Sequence, residues 1–172
     1  MNVKSALFIC LLTTGALLPL AAQQRDKALA ARVQRLEDIE AIRTVLLDYG
    51  RFLDARDFAA YSRLFAKDGE WVGGFGTVQG PAAIQTFMEK QIAGPNRGNT
   101  FHILSNFEID VHGDTATAWS RWTFVTPGAD KKPVIAQAGR YDDTFIRENG
   151  RWKFKRRVAS NDIPVPEPGP AK

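Results

Sequence analysis

The chain has 172 residues, a formal net charge of +4, and 44% apolar and 24% charged residues. That length suits one core, and the apolar fraction excludes wholesale disorder. A single cysteine excludes an intramolecular disulfide framework and any cysteine-rich zinc site, and two histidines leave little for a histidine metal cluster.

Residues 1–22 have the features of a secretory signal peptide. Lys4 precedes an apolar run from Ala6 to Leu20, and Ala21-Ala22 comes just before Gln23-Gln24 and the charged Arg25-Asp26-Lys27. An uncleaved anchor is the alternative, but the run is shorter than the roughly 20 residues a spanning helix needs. Cleavage after Ala22 implies a periplasmic or secreted protein with no stable membrane anchor. From Ala28 to Leu53 the residues Val33, Leu36, Ile39, Ile42, Leu46, Tyr49 and Leu53 recur at steps of three and four, which predicts a helix. Arg32, Arg35, Asp38, Arg43 and Asp48 fall on its water side. Asp57 is placed to cap a short second helix running to Phe65, and Gly69 closes that segment. Extended Glu70–Val72, a glycine turn over residues 73–76 and a short strand at Thr77–Gln79 follow. Gly80-Pro81 opens a third helix that runs to about Ile92, ahead of Gly94-Pro95.

Beyond this point aromatic and β-branched residues predict four long strands, Phe101–Val111, Thr115–Thr126, Val134–Arg147 and Arg151–Ser160, joined by turn sequences. Helices first and strands afterwards predict an α+β fold, with three N-terminal helices on one face of an antiparallel sheet. One domain therefore covers 28–162, and a proline-rich tail, 163–172, is expected to be extended. In the last strand, alternation puts Lys153, Lys155 and Arg157 on a solvated face opposite Trp152, Phe154 and Val158. No nucleic-acid partner is expected from so short a basic run.

Candidate chemistry lies in polar residues at positions patterned as core. Tyr49 is on the buried stripe of the first helix. Asp54 follows at its end, near Gly50, and serves either a pocket or the turn to the next helix. His102 shares the parity of Glu108 and Asp110, whereas Phe107, Ile109 and Val111 mark the apolar face. It is a surface histidine unless a bulge near Ser105-Asn106 turns it inward. If inward, it is the side chain suited to proton transfer near neutral pH, with Asp54 to orient it. Ser120, Tyr141 and Arg156 have inward parity. Trp71, Phe75 and Trp122 suit a core or pocket wall. Phosphate loop, dinucleotide fingerprint and nucleophile elbow are all absent, so no cofactor is expected. Asp110 and His112 flank a hairpin, where a solvated turn is the plainer reading than a metal pair.

The segments Leu36–Arg43, Tyr49 with Phe52-Leu53-Asp54, Asp68–Trp71, Gly76–Pro81, Thr100-Phe101-His102, Gly139-Arg140-Tyr141 and Asn149–Phe154 resemble the SnoaL-like proteins of the nuclear-transport-factor-2-like superfamily. The resemblance covers roughly Arg32 to Asp162. It implies a conical α+β barrel, in which a strongly curved antiparallel sheet wraps a pocket, and a homodimer. Within the superfamily it is nearest to scytalone dehydratase, bile-acid dehydratase and γ-hexachlorocyclohexane dehydrochlorinase. Asp54 and His102 match the aspartate and histidine of those lyases, and Tyr49 matches a catalytic tyrosine of the bile-acid enzyme. Ser120 stands where scytalone dehydratase has a second histidine, and Asn161 near the place of a late arginine. The implied function is a cofactor-free lyase or isomerase acting on a small, apolar, cyclic molecule. Asp54, His102 and Tyr49 would be catalytic; the substrate-specific shell does not carry over from those enzymes, and parity and aromatic character alone offer Trp71, Phe75, Ser120, Trp122, Tyr141 and Arg156 as substrate-binding residues. A binding protein with the same pocket and no turnover is the alternative.

Overall fold

The computed structural model describes residues 17–92, 94 and 98–164. Most of the signal segment, residues 1–16, and most of the proline-rich tail, residues 165–172, lie outside the described residues. The chain divides into two units, Met1–Leu36 and Glu37–Lys172. In the first, residues 17–36 are helical, and the side chains from Leu20 to Leu36 are all exposed. Val33 and Leu36, expected on a buried stripe, are exposed with the rest. The described helices include none long and apolar enough to cross a membrane.

Helix α1 covers Leu17–Ala55, beginning well before the predicted Ala28. Within the second unit its residues Ile42, Leu46, Tyr49 and Leu53 are buried, as their spacing predicts. Asp38 departs from its assigned water side. It is buried, accepting a hydrogen bond from Trp152 Nε1 at 3.1 Å and pairing with Arg147 Nη2 at 2.7 Å. Two donors reaching it from the sheet compensate the loss of water.

Helix α2 is Phe58–Ser62, and Asp57 caps it by accepting from the Ala60 amide at 2.9 Å. It is shorter than predicted, because strand β1 starts at Phe65 and continues to Gly73. Strand β2 is Gly76–Gln79 and helix α3 Pro81–Gln91. The long strands are β3 (Phe101–His112), β4 (Thr115–Pro127), β5 (Pro133–Glu148) and β6 (Arg151–Ile163). The six strands form one sheet in the order β2-β1-β6-β5-β4-β3, which with the helices gives the expected α+β fold. Its pairs are antiparallel except β1 with β6, which run parallel. The edges β2 and β3 stay apart, so the sheet is a curved wall and not a closed barrel.

Four irregularities break the alternation of the long strands. Asn106-Phe107 of β3 face Ser120 of β4, with Asn106 at φ 54°. Ala136, Lys155 and Asp162 are the extra residues in the β4–β5 and β5–β6 ladders. Each insertion switches the face presented by the residues beyond it. Gly139 marks a close approach of β5 to its neighbour. A Cβ there would lie 1.9 Å from the Ser160 carbonyl oxygen and 2.8 Å from the Trp122 ring.

Candidate functional site

Helix α1, β1 and the bulged strands bound a cavity of about 420 Å³, whose wall includes Tyr49, Tyr61, Trp71, His102, Trp122, Phe124 and Tyr141. The bulge at Asn106-Phe107 lets His102 and Leu104 share the face of Phe107, Ile109 and Val111. The His102 side chain is 14% exposed and packs on Phe124, with ring centroids 4.7 Å apart.

Asp54, in the last turn of α1, holds His102 at two points. Its Oδ2 accepts from the His102 amide at 2.9 Å, and its Oδ1 lies 2.6 Å from Nδ1. An ionised carboxylate only accepts, so Nδ1 carries a proton, and in the neutral imidazole Nε2 holds the free lone pair. Asp54 therefore stands behind the histidine and is not part of the cavity wall.

Tyr49 accepts a hydrogen bond from Trp71 Nε1 at 3.0 Å. Indole can only donate, so the tyrosine proton remains available to donate elsewhere. Tyr61 and Tyr141 pack on the same ring, at centroid distances of 4.7 and 5.4 Å. Burial, more than any neighbour, pushes both hydroxyls well above the ordinary tyrosine value. Tyr61 Oη is directed toward Tyr49 without a well-formed hydrogen bond.

Among the expected binding residues, Trp71, Phe75, Trp122 and Tyr141 line the cavity, Phe75 from an exposed position. Ser120 is fully buried but outside the cavity wall, and its hydroxyl has no partner. Arg156 corrects the parity reading. It lies on the opposite face, half exposed, and pairs with Glu70 at 2.7 Å. The bulge at Lys155 is the cause, and it places Arg157 in the core instead of on the solvated face. Arg157 is fully buried, bound to Asp143 through Nε at 2.8 Å and Nη2 at 2.6 Å. Its guanidinium lies 3.9 Å from the centroids of Tyr49 and Tyr141 and 4.2 Å from that of Phe154. Burial disfavours its charge, but Asp143 outweighs that and raises its pKa; burial also raises that of Asp143. Arg157 is thus a cation beneath the aromatic floor.

Leu53, Arg56, Tyr61, Phe124 and Asn161 complete parts of the wall that the parity argument did not assign to it. Tyr61 carried a usable signal, four residues after the helix cap Asp57 and among apolar neighbours. Asp110 and His112 form an exposed pair at 2.9 Å on the first hairpin. The described residues hold no group of three or more His, Cys, Asp or Glu side chains placed for a metal ion.

A SnoaL-like domain model matches residues 34–158. An uncharacterised protein of Mycobacterium bovis is 31% identical over 130 residues, covering 73% of this chain and 86% of that protein. An NTF2-like protein with a cystatin-like fold from Novosphingobium aromaticivorans superposes with a TM-score of 0.70 at 31% identity, covering 79% of this chain and 89% of its own. A scytalone dehydratase candidate from the same organism gives a TM-score of 0.62 at 26% identity, over 75% and 87% of the two chains. LinA, at 19% identity with a TM-score of 0.66 over 81% and 99%, shares the fold. The chain therefore belongs to the SnoaL-like family, within the NTF2-like fold.

Proposed function

We propose that this protein is a cofactor-independent lyase, dehydratase-like, or an isomerase, acting on a small, mostly apolar cyclic molecule. The observation that carries the reading is the double hold of Asp54 on His102 at the wall of an aromatic cavity. With Nδ1–H bound to the carboxylate, Nε2 is the basic atom, and it would remove a proton next to a carbonyl or a leaving group. Asp54 would stabilise the imidazolium that forms and keep the ring in place. Tyr49 would donate to the oxygen on which charge develops, its own lone pair being engaged by Trp71. Support comes also from the resemblance to a scytalone dehydratase candidate. The apolar segment before Arg25 supports a periplasmic or secreted location, and Trp119 on the outer sheet face, under the Arg121 guanidinium at 5.2 Å, supports a homodimer through that face.

The test is proton exchange. Cyclic ketones and β-hydroxy ketones are incubated with the protein in deuterium oxide and followed by mass spectrometry for deuterium uptake and loss of water. A positioned base contributes typically about 10²–10⁴-fold, so His102→Ala should lower the rate by at least that order. Rates equal in wild type and His102→Ala, with ligands still bound, would leave the non-catalytic binding protein as the better reading.

A further inference from the structure

Among the described residues, the cavity wall contains one permanently charged side chain, Arg56, and neither an aspartate nor a glutamate. Arg56 follows the last turn of α1 with φ 60°, a left-handed conformation that side chains rarely adopt. Its amide and its Nη1 both donate to the Leu53 carbonyl, at 3.2 and 2.9 Å, which anchors the guanidinium at the helix end. Capping a helix C-terminus accounts for that much of it. It does not account for the rest of the fork. Arg56 Nε is buried with no hydrogen-bond partner, and no described carboxylate forms an ion pair with this residue.

A guanidinium has five N–H donors in a planar fork, matched in shape to a carboxylate. Here one edge is tied to the backbone, while Nε is shut off from water and left without an acceptor. The guanidinium charge has no counter-ion among the described residues, and an anionic ligand in the cavity would supply one. The remaining wall is aromatic and aliphatic, with amides from Gln91, Gln137 and Asn161 at exposed positions. Among its described residues the cavity thus combines an apolar interior, an imidazole and one cation without a counter-ion.

We propose that Arg56 is a specificity-determining residue that selects, for this cavity, an apolar ring-sized molecule bearing a carboxylate. The proposal deepens the functional reading above and rests on its ligand cavity, though not on turnover. Arg56 acts as a handle. It grips the carboxylate end and so orients the apolar part against His102 and Trp122, spending remote binding energy on positioning.

Isothermal titration calorimetry with 2-naphthoate and the neutral 2-acetonaphthone tests this on the wild-type chain, Arg56→Gln and Arg56→Lys. The wild type should bind naphthoate at least about tenfold tighter than the ketone, or about 1.4 kcal/mol. Arg56→Gln should bring the two ligands within about twofold, chiefly by weakening naphthoate, and Arg56→Lys should keep part of the preference as a point charge. Equal affinities in the wild type, or a preference that survives Arg56→Gln, would overturn the role of Arg56 while leaving the cavity intact. Silence from both ligands would overturn the ligand cavity as well.

Discussion

Replacing Arg157 with methionine tests whether the aromatic floor depends on a cation. Both side chains of the Arg157–Asp143 pair are fully buried, and two hydrogen bonds of 2.8 and 2.6 Å join them. Arg157→Met keeps a similar stem length and removes the charge, so Asp143 is left in a dry interior without its partner. Breaking a buried pair from one side costs about 3–5 kcal/mol, and the three rings around the guanidinium lose their contacts with it. Domain stabilities are about 5–15 kcal/mol, so this one change should remove about a fifth or more. Combining it with Asp143→Leu should recover much of the loss, because neither partner is then stranded. Urea unfolding followed by circular dichroism measures all three variants, with slopes compared to confirm an unchanged denatured state. A loss below about 1 kcal/mol for Arg157→Met, or a double variant as unstable as the sum of its parts, would refute the reasoning.

Gly139→Ala should cost at least about 1–3 kcal/mol in the same assay, since its Cβ would fall 1.9 Å from the Ser160 carbonyl oxygen; a neutral result would show that β5 and β6 can separate. Asp57→Ala should cost about 1 kcal/mol by removing the cap on Ala60, and Asp57→Asn should retain most of it. Tyr61 and Tyr141 should remain protonated above pH 10 while the fold persists, because burial raises both. The native state then binds more protons than the unfolded one, so stability falls as pH rises past the unfolded tyrosine value. Phenolate absorbance should therefore appear together with loss of circular dichroism, and reversible ionisation of two tyrosines in an intact fold would contradict the burial. Long-range nitrogen–proton correlation spectra should show His102 as the Nδ1–H tautomer, and Asp54→Leu should remove that preference while the cavity persists.

The periodicity of α1 made its buried face legible from Ile42 to Leu53, because a helix that packs on a sheet must repeat apolar residues at its own pitch. Val33 and Leu36 continue that pattern into a stretch whose side chains are exposed, so periodicity alone overextended the core. Turn sequences placed the strands within a few residues, since glycine, asparagine and aspartate act locally. Pairing was harder to read. Nothing in the residues of β1 states that its neighbour is β6, the last strand of the chain, and a parallel pair leaves no turn between its members. Asp38 was hidden for a related reason. An aspartate on a helix reads as solvated until strand residues distant in sequence, Trp152 and Arg147, are seen to reach it.

The site itself depends on places where regular alternation fails. His102 reaches the cavity because β3 carries an extra residue at Asn106-Phe107, and an awkward parity in the sequence was enough to suggest that bulge. The same argument failed at Arg156, where unbroken alternation through Trp152 and Phe154 looked sound. Lys155 is the residue that breaks it, and it carries no glycine or positive φ to announce the fact. One insertion there exchanges an arginine at the surface for one in the core, and carries Ala159 and Asn161 onto the cavity wall with it. A regular β6 would put Arg156 under the tyrosines and turn Arg157 to water. The position of the cation beneath Tyr49 is therefore set by strand register, two residues after the bulge, and not by local residue preference. That makes the bulge a determinant of what surrounds the cavity: deleting Lys155 should disturb the cavity more than replacing it, since replacement preserves the count of residues that aims Arg157 inward.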